Sequence, residues 1–95
     1  MAQLLNDSEI SSALATVPDW QRDGATITRS VTLSSFPNAV AYVVRVAELA
    51  EAADHHPDID IRWRTVTFHL STHSEGGLTS KDFALAAQID AALTV

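Results

Sequence analysis

The sequence predicts an α+β fold, in which a four-stranded antiparallel sheet carries three helices packed on one face. Apolar residues recur with helical spacing in three segments, and they alternate with period two in two other regions. The resulting order, α-β-β-α-β-β-α, lacks the alternating crossovers of a parallel sheet. With 95 residues, 46% of them hydrophobic, the chain is expected to form a single domain over residues 1–95.

The first predicted helix begins with a capping box. The side chain of Asn6 can accept a hydrogen bond from the backbone, and Glu9, three residues later, can reach back to the backbone of Asn6. Leu5 can pack against Ile10 beside this cap. Because proline cannot continue the hydrogen-bond ladder of a helix, we expect this helix to run until Pro18.

Period-two alternation marks four strands in two pairs. The first pair lies within residues 20–33, around a turn signal at Asp23 and Gly24. The second pair lies within residues 59–70, where the alternation changes phase near Arg64. A shift of one residue sends side chains to the opposite face of a sheet, so the change of phase indicates a turn or a bulge. Two short strands are the favoured interpretation.

The other two predicted helices also carry N-terminal signals. Ser35 can cap the second helix, Pro37 is tolerated in its first turn, and the helix is expected to run to about Ala53. Thr79, with Asp82 three residues later, predicts a capping box for the third. The second helix has more apolar circumference than one buried stripe requires. We interpret this excess as a contact in a homodimer or homotetramer, the alternative being that it only fills the core.

Composition excludes several classes of function. The net charge is −6 and the chain has only six Lys and Arg residues, which argues against binding of nucleic acid or of anionic membrane surfaces and favours a neutral small-molecule ligand. The absence of cysteine excludes disulfides and thiolate zinc sites. No window approaches the roughly 18 apolar residues of a membrane span, and the first residues lack the charge of a secretory signal. A cytoplasmic location is therefore expected.

All four histidines fall between positions 55 and 73. Imidazole has an unperturbed pKa nearest neutrality, so several rings around one pocket suit proton transfer at cellular pH. His55 and His56 come where the second helix ends, and Pro57 biases the residue before it toward an extended conformation. His73 closes the last strand. If the sheet brings that strand end beside the corner, these three rings surround one pocket, whereas His69 is the weaker candidate.

Three alternative roles for the histidine cluster have less support. A favourable charge at a helix C-terminus accounts for one histidine of the adjacent pair but not for three. Metal binding has suitable carboxylates nearby in Asp54, Asp58 and Asp60, but neither a His-x-His nor a His-Glu-x-x-His pattern is present, so no metal is expected. Nucleophilic catalysis lacks a cysteine and a Gly-x-Ser-x-Gly elbow. Proton transfer is therefore the favoured role.

Residues 51–57, with the sequence EAADHHP, resemble the signature of the pterin-4a-carbinolamine dehydratase family, also known as the dimerisation-cofactor family. The similarity covers nearly the whole chain. Trp63 stands at the aromatic position of the signature, and later positions look like its second histidine block and its closing block: Ser71, Thr72 and His73, then Gly77, Leu78 and Asp82. One departure is Ile59, where many relatives have an aromatic side chain.

The resemblance implies a lyase that dehydrates a 4a-hydroxytetrahydropterin to a quinonoid dihydropterin in tetrahydropterin recycling, without metal or bound cofactor. It assigns His55 and His73 to proton transfer and His56 to orienting the pterin. The substrate-binding residues that it implies are Glu51, Trp63, Ser71, Thr72 and Asp82. Asp82 also fits a helix cap, and Glu51 an exposed helix charge. The alternative function is a non-catalytic oligomerisation or assembly partner, but the presence of all three motif histidines favours the enzyme.

Overall fold

The computed structural model describes residues 3–93, which contain three α-helices, one short 3-10 helix and four strands. This order and architecture confirm the predicted α+β fold. Among residues 3–93, no helix has both the length and the apolar character of a membrane span. The elements are α1 (Asp7–Leu14), β1 (Gln21–Asp23), β2 (Thr26–Thr32), α2 (Phe36–Ala53), β3 (Asp58–Arg62), β4 (Thr65–Leu70), a short 3-10 helix (His73–Glu75) and α3 (Ser80–Ala92).

The strands form one antiparallel sheet in the order β1-β2-β4-β3. In the pairing of β3 with β4, Asp58 lies opposite His69. The start of β3 and the end of β4 are therefore at the same end of the sheet. As a result, the segment that precedes Asp58 and the segment that follows Leu70 emerge side by side. These two segments carry His55, His56 and His73.

One face of the sheet is buried under the helices. Phe68 of β4 is fully buried and meets the ring of Tyr42 of α2 edge-on, with ring centroids 5.5 Å apart. The Tyr42 hydroxyl donates a hydrogen bond of 2.8 Å to the backbone carbonyl of Ile89 in α3, which joins the two helices. Burial raises the pKa of Tyr42 to about 12, because the phenolate would lose its hydration. Other buried sheet residues are Ile27, Val31, Val66 and Leu70.

The first helix begins as predicted but ends earlier. Its capping box is present, with hydrogen bonds of 2.8 Å from Glu9 N–H to the Asn6 side chain and from Asn6 N–H to the Glu9 carboxylate. The helix stops at Leu14, not at Pro18, because the hydroxyl and N–H of Thr16 both bond to the carbonyl three residues earlier, which tightens the chain into a turn.

The two hairpins differ at their turns. Gly24 occupies the first turn with φ +61°, a conformation that glycine adopts without a Cβ penalty. The second turn consists of Trp63 and Arg64, which explains the change of phase in the sequence pattern. Trp63 has φ +55°, and the Arg64 guanidinium lies 4.5 Å from the centre of its ring. The pair forms the tip of the β3-β4 hairpin, where Trp63 is exposed and Arg64 is half-buried.

Candidate active site

A cavity of about 350 Å³ opens at the end of the sheet where β3 starts and β4 ends. His55, His56 and His73 all line it, so the fold brings together the three histidines that the sequence singled out. Ser71 and Thr72 form part of the same wall. The convergence predicted from the sequence therefore exists, although His73 is 17 or more positions from the other two along the chain.

The end of α2 sets the positions of the first two histidines. Asp54 follows the last helical residue in a left-handed conformation, with φ +50° and ψ +42°. The N–H groups of Asp54 and His55 both bond back to the carbonyl of Ala50, which satisfies the end of the helix. The chain then leaves the helix at a sharp corner. As a consequence, the His55 side chain is 10% exposed and that of His56 is 55% exposed, although the residues are adjacent.

His55 is held by a buried carboxylate. Its Nε2 lies 2.7 Å from Oδ1 of Asp82, which is fully buried at the start of α3. The other carboxylate oxygen, Oδ2, accepts hydrogen bonds from the Thr72 hydroxyl at 2.8 Å and from the Thr79 N–H at 2.9 Å. An ionised carboxylate only accepts hydrogen bonds, so His55 donates through Nε2. Its Nδ1 is then the ring nitrogen available to the cavity.

His56 makes a different kind of pair. Its Nε2 lies 2.6 Å from a carboxylate oxygen of Glu51, one turn back on α2. The Glu51 side chain is 78% exposed, so water competes for both partners. A pair of this kind contributes little to stability. It does restrain the ring of His56, which lines the cavity.

His73 begins the short 3-10 helix and is exposed. Among the side chains of residues 3–93, none makes a hydrogen bond to its ring. His73 also lines a second, smaller cavity of about 210 Å³, which contains His69 and Asp58 and does not include His55. His69 is therefore separated from the three-histidine cavity. Its position opposite Thr28 and Asp58 is that of an ordinary exposed strand residue.

Thr72 lines the cavity, but its polar groups are engaged within the protein. Its side chain is 3% exposed, and its hydroxyl donates to Asp82. Its backbone N–H donates to the carbonyl of Gly77 at 2.9 Å. Both donors of Thr72 are therefore occupied within the protein, and neither is free for a substrate. Thr72 lies two residues beyond the end of β4, and its hydroxyl holds the carboxylate of Asp82 in place.

The structure also separates Trp63 from the histidines. Trp63 lies in the turn after β3, whereas His55 and His56 precede β3. The strand between them spans about 15 Å at the usual rise per residue. Trp63 is 71% exposed and does not line the cavity. Within this subunit, Trp63 therefore lies away from the cavity that the three histidines line, because an extended strand separates it from His55 and His56.

Three residues that line the cavity had no assigned role in the proton-transfer site: Asp54, which was considered only as a metal ligand, Ser74 and Lys81. Each is a chain neighbour of a residue that was expected, since Asp54 precedes His55 and Lys81 precedes Asp82. Their position next to predicted site residues was the one feature of the sequence that could have identified them. Within residues 3–93, no group of three or more His, Asp or Glu side chains has an arrangement that could hold a metal ion. The imidazole rings that line the cavity are suited to proton transfer.

Known proteins resemble this chain over nearly its whole length. Residues 3–92 match the family model described as pterin 4 alpha carbinolamine dehydratase. A protein of Nocardia farcinica named as a pterin-4-alpha-carbinolamine dehydratase is 64% identical over 88 residues, which is 93% of each chain. A protein of Roseiflexus castenholzii with the same name is 63% identical over 90 residues, or 95% of this chain and 97% of that protein.

Two solved structures share the fold. A transcriptional coactivator/pterin dehydratase from Brucella melitensis superimposes with a TM-score of 0.93 at 33% identity, over 97% of this chain and 100% of the other. A pterin dehydratase-like protein described as a RuBisCO assembly factor in the alpha-carboxysome gives a TM-score of 0.63 at 23% identity, over 77% of this chain and 84% of the other. At that level of identity, the second similarity shows the fold alone.

Proposed function

The chain belongs to the pterin-4a-carbinolamine dehydratase family, whose activity is that of a hydro-lyase, and we propose that it dehydrates a 4a-hydroxytetrahydropterin to a quinonoid dihydropterin as a step of tetrahydropterin recycling. The observation that carries the proposal is the convergence of His55, His56 and His73 on one cavity, with a buried carboxylate behind His55. The chain is acidic and has few Lys and Arg residues, which suits a flat, nearly uncharged ligand of this kind.

The reaction requires two proton transfers. The bond between C4a and the hydroxyl oxygen breaks as an acid protonates that oxygen, and water leaves. A base removes a proton from the adjacent ring nitrogen, and the released electron pair forms the double bond to C4a. We assign the base to His55, because its hydrogen bond to Asp82 leaves Nδ1 as an acceptor, and the acid to His73. Each positioned group of this kind typically contributes about 10²- to 10⁴-fold.

The remaining residues bind and orient. His56, restrained by Glu51, is assigned to the edge of the pterin ring, and Ser71 to the cavity wall beside it. Asp82 acts through His55, since it is fully buried beneath that ring. Trp63 is not assigned a contact, because it lies at the far end of the β3-β4 hairpin. These assignments follow the contacts of each side chain.

The direct test is the ultraviolet decay of an enzymatically generated carbinolamine in the presence of purified protein. We expect His55→Ala and His73→Ala each to lower kcat/KM by about 100-fold. His69→Ala is the matched control, because His69 is a nearby exposed histidine outside the cavity. The proposal fails if the wild-type protein does not accelerate the reaction over its spontaneous rate, the outcome expected of a non-catalytic assembly partner.

We also propose that the protein is a homodimer or homotetramer. Phe36, Val40 and Val44 form an exposed apolar stripe along α2, with exposed fractions of 51%, 39% and 52%. Isolated subunits would leave this stripe in water. Sedimentation at micromolar concentration should show an oligomer that Val44→Glu weakens, with Ala41→Glu as a control at an exposed position of the same helix beside the stripe. A wild-type monomer at that concentration contradicts the proposal.

A further inference from the structure

Buried polar side chains beneath the cavity form a continuous hydrogen-bonded chain. Thr72 is 3% exposed, and Thr79 and Asp82 are fully buried. The hydroxyl oxygens of Thr79 and Thr72 are 2.7 Å apart, and the Thr72 hydroxyl is 2.8 Å from Oδ2 of Asp82. The other oxygen of Asp82 is 2.7 Å from Nε2 of His55. A path of three hydrogen bonds therefore links Thr79 to His55.

The donors along this path all point toward Asp82. A carboxylate only accepts, so the Thr72 hydroxyl gives its single hydrogen to Asp82. It follows that the Thr79 hydroxyl gives its hydrogen to Thr72. The Thr79 oxygen in turn accepts from the Lys81 N–H at 3.3 Å. Hydrogen bonds aligned in this way strengthen one another in a buried site.

The helix cap does not require the whole of this arrangement. As the N-cap residue of α3, Thr79 uses its oxygen as an acceptor and its N–H as a donor to Asp82. The hydrogen of the Thr79 hydroxyl takes no part in the cap. It is directed to Thr72 instead, away from the first turn of the helix. Thr79 therefore has two separable roles, one through its oxygen and one through its hydrogen.

We propose that Thr79 is a positioning residue, which acts through Thr72 and Asp82 to hold the His55 ring with its Nε2 hydrogen on Asp82 and its Nδ1 available to the cavity. The inference rests on the proposed function for the proton-transfer role of His55, whereas the hydrogen-bond geometry is independent of it. With two donors fixed on Oδ2, the carboxylate of Asp82 cannot rotate, so Oδ1 stays aimed at the ring.

The test uses the full chain and four variants. Thr79→Val removes the hydroxyl hydrogen and the cap acceptor together, whereas Thr79→Ser restores both. Thr72→Val interrupts the path but leaves Thr79 as the cap, so it serves as a second test should Thr79→Val fail to fold. Ser35→Ala is the matched control, because Ser35 caps α2 through a hydrogen bond of 3.1 Å from Asn38 N–H and does not contact the site.

Nitrogen-15 NMR of histidine-labelled protein at about pH 8 reports which ring nitrogen carries the proton when imidazole is neutral. We expect the wild type, Thr79→Ser and Ser35→Ala to show His55 protonated at Nε2. Thr79→Val and Thr72→Val should show a mixture of the two tautomers. In the dehydratase assay both valine variants should lose about tenfold in kcat, the equivalent of one hydrogen bond, with KM nearly unchanged.

Two results would overturn the inference. One is a Thr79→Val or Thr72→Val protein that is folded and keeps the His55 tautomer of the wild type. The other is an equal loss of kcat in Ser35→Ala, since this would mean that capping stability alone sets the rate. The NMR measurement needs no substrate, so a wild-type protein without dehydratase activity would refute the proposed function while the tautomer still decides on Thr79.

Discussion

Helices α1 and α3 begin with the same motif but place it in opposite environments. In α1, Asn6 and Glu9 exchange the two hydrogen bonds of a capping box, and both residues are exposed. In α3, Thr79 and Asp82 make the equivalent bonds, and both residues are fully buried. The local backbone geometry is thus shared, whereas the surroundings of the acidic residue are not.

The difference shows how a structural motif acquires a role in chemistry. The carboxylate of Glu9 faces water, so beyond the cap its charge is solvated. Asp82 is enclosed, and its remaining oxygen reaches His55, a residue 27 positions away. A buried carboxylate must have its lone pairs satisfied by donors, and here one of the donors is a histidine at the cavity. The capping box of α1 therefore only begins a helix, whereas that of α3 begins a helix and also orients His55.

The sharpest test of this contrast is activity after removal of one charge. Asp82→Asn presents an amide to His55 and should force the ring into the other tautomer, with a loss of about 10³-fold in kcat. Steady-state kinetics of carbinolamine dehydration measures this loss. Glu9→Gln makes the same chemical change in the exposed capping box and should leave kcat within about twofold. If Asp82→Asn kept more than a tenth of the wild-type kcat, the buried capping box would have no greater role in catalysis than the exposed one.

Stability should differ in the same direction. Asp82→Ala leaves the Thr72 hydroxyl, the Thr79 N–H and the His55 ring without their acceptor in a buried site, which should lower the free energy of unfolding by about 3 kcal/mol. Glu9→Ala should cost less than about 1 kcal/mol, because water replaces the lost bond. Urea denaturation of both variants gives the comparison. Equal losses would show that burial does not distinguish the two caps.

The far end of α3 provides a pH-dependent test of its burial. The pKa of Tyr42 is about 12 in the folded protein and about 10 when unfolded, so its hydroxyl stabilises the fold below pH 10 and this contribution is lost as the pH rises toward 12. Between about pH 9 and 11, the wild type should lose about 1 kcal/mol from this group. Tyr42→Phe should lack this part of the alkaline decline in urea midpoints. An unchanged decline in Tyr42→Phe would place its cause elsewhere.

The smallest effect is expected at the exposed histidine-carboxylate pair. Glu51→Gln weakens the restraint on His56, but both side chains are more than half exposed and water screens their interaction. We expect KM to rise by no more than about threefold, with kcat unchanged. Substrate-dependence curves for Glu51→Gln and wild type provide the measurement. If Glu51→Gln lost as much kcat as Asp82→Asn, burial would not explain the difference in importance between the carboxylates of Glu51 and Asp82.

Much of the fold followed from signals within a few residues of each other. The capping boxes at Asn6 and Thr79, the N-cap at Ser35 and the end of α2 before His55 all depend on local hydrogen bonding, and the structure contains each of them. The predicted end of α1 was wrong because the bonds of Thr16 to Ala13 compete with the helix. The local sequence pattern predicted the start of each helix correctly, but it did not predict the end of α1.

The order of elements, the corner that presents His55 and His56, and the family of the chain could all be read from the amino-acid sequence. Three other relations appeared only in the folded chain: Asp82 is buried against His55, Thr72 points inward, and Trp63 lies at the other end of β3. These relations depend on strand register and on the packing of α3 against α2. Both are set by contacts between residues far apart in the chain, which local hydrogen bonding does not specify.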